Sequence, residues 1–96
     1  MKRNNECIRA VLNYVIENTS IVAEETKFDI KPTDMYAIIK GMEDTSFNKE
    51  EIIHSIIYAS RCGFLDTKPI TSKVNNTYAA IDIYDVTPTG YSFLGI

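Results

Sequence analysis

Ninety-six residues, 45% of them hydrophobic and 24% charged, suffice for one small domain with a single core and are too few for a second, so the chain is expected to form one unit over residues 1–96. Thirteen acidic residues against ten Lys and Arg leave a net charge of −3. A molecule of that balance is not drawn as a whole to a polyanion, and any affinity for nucleic acid has to come from a local patch.

The first stretch, MKRNNECIRAVLNYVIENT, meets polar Asn13 and Glu17 too early to form a signal-peptide core or a membrane span, which predicts a cytoplasmic protein without membrane contact. Within it Ile8, Val11, Leu12 and Val15 recur at three- and four-residue steps and predict a first helix from Asn5 to Asn18. Ile21 to Ala23 is short and β-branched, an edge strand followed by a turn. Pro32 and Thr33 or Asp34 then open a second helix, whose stripe is Met35, Ile38, Ile39 and Met42. Cys7 and Cys62 fall in predicted helices and read as buried free thiols. Asn18-Thr19-Ser20 and Asn75-Asn76-Thr77 read as polar turns.

The third helix is the best marked. Asn48 can cap it, Glu51 can return the bond to the Asn48 amide, and Phe47 can staple onto Ile52. Gly63 can close it in the left-handed conformation. After Leu65 the pattern turns to β, with one arm to Val74, a polar tip at Asn75-Asn76, and a second arm in which Ile81 and Ile83 alternate with Asp82 and Tyr84. Thr87 and Pro88 cap a short terminal helix, from which Tyr91, Phe93 and Leu94 can cover the open end of the core. Three helices, a β-hairpin wing and a short C-terminal helix make an α+β chain whose expected plan is a winged helix-turn-helix.

The ends carry a resemblance. Met1-Lys2-Arg3 followed by Ile8-Arg9, Cys62-Gly63-Phe64-Leu65 after the third helix, and Val86-Thr87-Pro88-Thr89-Gly90-Tyr91-Ser92-Phe93-Leu94 together resemble a family of small winged-helix proteins of unknown function in bacteria and their phages. Members tend to carry an Ala-Gly-Leu-Ile turn after the third helix and a Leu-Thr-x-x-Gly-His-x-Phe-Leu ending. Here Tyr91 stands at the usual His, and Ser55 at a second place where His is frequent, with His54 beside it. The resemblance implies a fold and a mobile-element setting, and no chemistry.

On a wheel of about 100° per residue with Ile52 at zero, Ile56, Ala59 and Gly63 form the core stripe of the third helix. Ile53 and Ile57 lie on one flank, Tyr58 and Cys62 on the other, and Glu50, His54 and Arg61 fill a narrow polar sector. The apolar arc is wider than a surface helix needs. Either surrounding elements bury it, or Ile53 and Ile57 stay exposed and dock on another protein or a second copy. A helix that reads a groove offers Arg, Lys, Asn or Gln, whereas this one sets Lys49, Asn48, His54 and Arg61 among two carboxylates. The wing, with Lys68, Lys73, Asn75 and Asn76, is the better candidate for phosphate contact, and Lys2, Arg3 and Arg9 could extend it into a modest basic strip.

His54 and Cys62, eight residues apart on one helix, do not meet at a metal. No phosphate-binding glycine loop, nucleophile elbow or paired-carboxylate motif occurs, so neither catalysis nor a cofactor is expected. Two functions remain. One is a protein-binding module, an adaptor or inhibitor of a nucleic-acid-handling machine, with Ile53, Ile57, Glu50, His54 and Arg61 as the contact set. Phage inhibitors of bacterial defence nucleases, anti-CRISPR proteins among them, suit this size and charge. The other is a dimeric DNA-binding transcription regulator using the third helix and the Lys68 to Asn76 wing.

Overall fold

The structure, a computed structural model, describes residues 2–72 and 77–96, with residues 69–72 and 77–81 as backbone only. The chain runs α1 (Asn5–Asn18), β1 (Ser20–Ala23), β2 (Phe28–Lys31), β3 (Thr33–Asp34), α2 (Met35–Gly41), α3 (Lys49–Arg61), β4 (Leu65–Ser72), β5 (Thr77–Val86) and α4 (Pro88–Leu94). It is a mixed α+β domain of four helices and two small antiparallel sheets among the described residues.

Local chemistry sets most of these boundaries. Asn4 caps α1 by accepting the Cys7 amide at 3.1 Å, and its side-chain amide donates to Glu51 at 2.9 Å, tying the start of α1 to α3. Asp34 ends β3 and caps α2 by accepting the Ala37 amide at 2.8 Å. At α3 both arms of the capping box are present, with the Glu51 amide donating to Asn48 at 2.8 Å and the Asn48 amide donating to Glu51 at 3.4 Å. Gly63, at φ 73°, lets the helix close as a Schellman turn: Phe64 donates to the Ala59 carbonyl at 2.9 Å and Gly63 to that of Ser60 at 3.2 Å. Thr87 caps α4, with Pro88 in the first helical turn.

One core joins the helices to the larger sheet. Cys7, Ile8, Val11, Leu12 and Val15 of α1 pack with Ile38 of α2, Ile52, Ile56 and Ala59 of α3, and Leu65, Ile83 and Val86 of the sheet. That sheet has the order β3-β5-β4, so the last long strand lies in the middle, paired to Thr33–Asp34 on one side and to β4 on the other. Tyr91, Phe93 and Leu94 of α4 close the end of the core, as expected, with the Phe64 and Phe93 rings stacked at 4.8 Å. Ile83 is buried between half-buried Asp82 and Tyr84, one step of the expected alternation, and the side chain of Ile81 lies outside the described residues.

Four expectations need correction. Gly63 is exposed and does not join the core stripe, because α3 ends at Arg61 with Cys62 as its cap and Gly63 lies beyond it in the left-handed region. Cys62 is exposed as well, and only Cys7 is a buried thiol. Asn18 closes α1 and Ser20 opens β1, so the polar break is confined to Thr19 and is not a three-residue turn. The stretch after Ala23 is not merely a turn: Phe28–Lys31 returns as β2 and pairs with β1 over four residues.

Candidate interaction surface

Helix α3 decides between the two readings of its wide apolar arc, and the flank is neither wholly buried nor free. Ile52, Ser55, Ile56 and Ala59 form its buried face, while Ile53 and Ile57 are half-buried. Ile57 leans on the core, whereas Ile53 and half-buried His54 lie beside it on the outer side. Together with exposed Glu50 these residues line a shallow depression of about 270 Å³ with an almost wholly apolar wall. Four of the five residues expected to bind a partner therefore come together, one turn apart on one helical face. Arg61 does not join them: it is exposed at the far end of α3, where its charge suits the helix C-terminus.

The basic residues are dispersed. Lys49 is exposed at the first turn of α3, beside Glu50, and Lys68 is exposed on β4, opposite Asp82 of β5. Lys73, Asn75 and Asn76 lie outside the described residues. Arg3 sits 5.0 Å from the Tyr58 ring and donates to its hydroxyl at 2.8 Å, and Arg9 lies 4.9 Å over Phe93 and donates to the Leu94 carbonyl at 3.4 Å. Both guanidiniums are thus held against the aromatic seam of α1, α3 and α4. The expected strip joining Arg3 and Arg9 to the wing has its arginines committed to that seam.

Tyr58 marks the other flank of α3. Its phenol is pushed above the ordinary range by its hydrogen bond with Cys62, with desolvation adding to the effect and the Arg3 guanidinium opposing it. His54 stacks loosely on the same ring, centroids 6.4 Å apart. On the inner side, burial pushes the Cys7 thiol up, and the Ser55 hydroxyl beside it works in the opposite direction. Ser55 Oγ is buried and has no hydrogen-bond partner among the described residues. Among the described residues no group of three or more His, Cys, Asp and Glu is placed to hold a metal.

A second surface was only partly foreseen. The β1–β2 ribbon projects with every residue exposed, including Ile21 at 67%, Val22 at 51% and Phe28 at 69%. Its register sets Ile21 opposite Ile30 and Ala23 opposite Phe28, so these four share one face. Ser20, Lys31, Val22 and Asp29 share the other. At its base Ile21 and Ile30 overhang a groove of about 370 Å³ walled by Ile16 and Tyr84. The alternation of Phe28 and Ile30 with Asp29 and Lys31 was a readable sign of this strand.

No protein-family model matches the chain, and no curated protein or solved structure matches it either. No helix among the described residues is long and apolar enough to cross a membrane.

Proposed function

We propose that the chain is a winged helix-turn-helix used as a protein-binding module, an adaptor or inhibitor that engages a nucleic-acid-handling machine in a phage or mobile-element setting. The order of elements and the β3-β5-β4 sheet support the scaffold, with α2 and α3 as the helix pair and β4–β5 as the wing. One observation carries the functional part: the outer face of α3 displays a depression of Glu50, Ile53, His54 and Ile57, where a reader of bases would set out Arg, Lys, Asn or Gln. An apolar pocket rimmed by a carboxylate fits an apolar anchor from a basic partner, and the net charge of −3 favours that encounter.

Ile53 is the informative position, because it lines the depression without leaning on the core. Changing Ile53 to Asp should remove partner capture and leave the helical circular-dichroism signal intact. Retention of the partner by the folded variant would defeat the reading. The Lys68→Ala change should have no such effect.

The second reading, a dimeric DNA-binding regulator, is supported by the same scaffold and by the exposure of Lys49 and Lys68. It requires duplex binding that falls steeply with salt and weakens when Lys68 becomes Ala. A chain that binds no duplex at low salt is not such a regulator.

A further inference from the structure

The ribbon β1–β2 presents two free edges, and they are not equivalent. Glu24 donates its amide to the Lys27 carbonyl at 2.8 Å, which sets the parity of the ladder. Asp29 and Lys31 then turn their peptide groups inward to Val22 and Ser20, and Phe28 and Ile30 turn theirs outward, to the edge that no strand among the described residues covers. A second β2 laid antiparallel along that edge can centre on Phe28, Asp29 or Ile30; centred on Phe28, where the strand begins, it overlaps little of β2 and draws on Lys27, which already pairs with Glu24 at 3.9 Å. Centred on Asp29, it sets like charges face to face. Centred on Ile30, it exchanges both peptide hydrogen bonds between the two Ile30 residues and sets Asp29 of each copy opposite Lys31 of the other.

We infer that the chain forms a two-fold homodimer by antiparallel pairing of β2 with β2 of a second copy, in the register centred on Ile30. The edge is self-complementary in charge, which is the condition an isologous interface imposes. Within its own ribbon Asp29 faces Val22 and Lys31 faces Ser20, so both charges are left for the partner strand. The two-fold axis keeps equal parity on equal sides, so the apolar faces of Ile21, Ala23, Phe28 and Ile30 become continuous across the four strands. The same register brings Phe28 of the second copy level with Pro32. That is the base of the ribbon, where the groove walled by Ile16 and Tyr84 opens. An exposed aromatic ring is thereby placed beside the groove in which Ile16 and Tyr84 stand with Thr19, Ser20 and Asp85.

Charge exchange tests the register directly. Sedimentation of the full chain at concentrations up to about 0.1 mM should show a monomer–dimer equilibrium, the range expected of a small edge-paired interface. Asp29→Lys and Lys31→Asp should each weaken self-association about tenfold, because each sets like charges opposite one another twice. Mixed in equal amounts, the two variants should associate as a heterodimer, since every lysine then meets an aspartate. Ile30→Pro removes an amide that points away from β1, so it should give a folded monomer. A wild-type chain that sediments as monomer throughout, or a mixture that fails to recover association, overturns the proposal. Ile53→Asp should leave the dimer intact, which separates this surface from the one on α3.

Discussion

The core face of α3 and the β1–β2 ribbon are both rich in β-branched residues, and the structure treats them in opposite ways. Ile52 and Ile56 vanish beneath α1 and the larger sheet, whereas Ile21 and Val22 stand in solvent on a two-stranded ribbon. The difference is one of surroundings. A helix meets neighbours along a stripe and buries it, but an isolated hairpin has two faces and two edges and nothing of its own to lay on them. The buried residues of the α3 core face therefore report on folding, and the apolar residues of the ribbon report on association. Substitutions at the two places should separate stability from self-recognition.

The largest effect belongs to the core. Ile56 is fully buried at the centre of α3, so Ile56→Ala should destabilise the domain by about 2–5 kcal/mol through lost burial and the cavity left behind. Chemical denaturation, with an unchanged dependence on denaturant, measures it. A loss under about 1 kcal/mol would mean that α3 does not form the centre of the core.

The next effect lies at the lid. Gly90 of α4 is buried, and a methyl group there would collide with the Phe64 carbonyl oxygen and with Val86. Since the obstacle includes backbone, Gly90→Ala should cost about 1–3 kcal/mol and loosen the stacking of Phe93 on Phe64. Thermal unfolding and the ring chemical shifts of Phe93 would show both.

Asn48→Ala removes the side-chain half of the α3 cap and should cost about 1 kcal/mol. That position also shows how much was legible in the sequence. Asn48 with Glu51, Gly63, and Thr87 with Pro88 each satisfy backbone groups within a few residues, so local spacing reveals them, and all lie where expected. The ribbon was legible by half. Strand β1 is dense in β-branched residues, whereas the alternation of Phe28-Asp29-Ile30-Lys31 runs for only four residues between an acidic turn and Pro32, which is short for a strand signal. Cys62 is exposed because it caps α3 and does not lie within it, a boundary that one residue of spacing does not fix. Ser55 sits at a core angle, but a hydroxyl gives no sign of burial. The α3 depression was legible only as a choice, since periodicity places Ile53 and Ile57 on a flank and only the neighbouring elements decide how far that flank is covered.

A smaller effect follows from Cys7. Its thiol is raised above the ordinary value of 9.0 by burial, so the folded state holds a proton that the unfolded state gives up first. The associated stability is fully present below that value and declines as pH rises through and above it. Cys7→Ala should flatten the alkaline fall in unfolding midpoint relative to wild type. An identical slope in the two proteins would mean that Cys7 is hydrated in the folded state.

The smallest effect on the isolated domain completes the contrast with α3. Phe28 is 69% exposed on the ribbon and contributes nothing to the core, so Phe28→Ser should change monomer stability by no more than about 0.5 kcal/mol. Dimerisation makes apparent stability depend on protein concentration, so the comparison needs two concentrations, one well below and one above the association midpoint. Dilute wild type and Phe28→Ser should then unfold together, and concentrated wild type should unfold later than the variant. Ile56→Ala should lose stability equally at both. If instead Phe28→Ser is destabilised when dilute, the ribbon packs on its own domain and the division between a folding surface and an association surface does not hold.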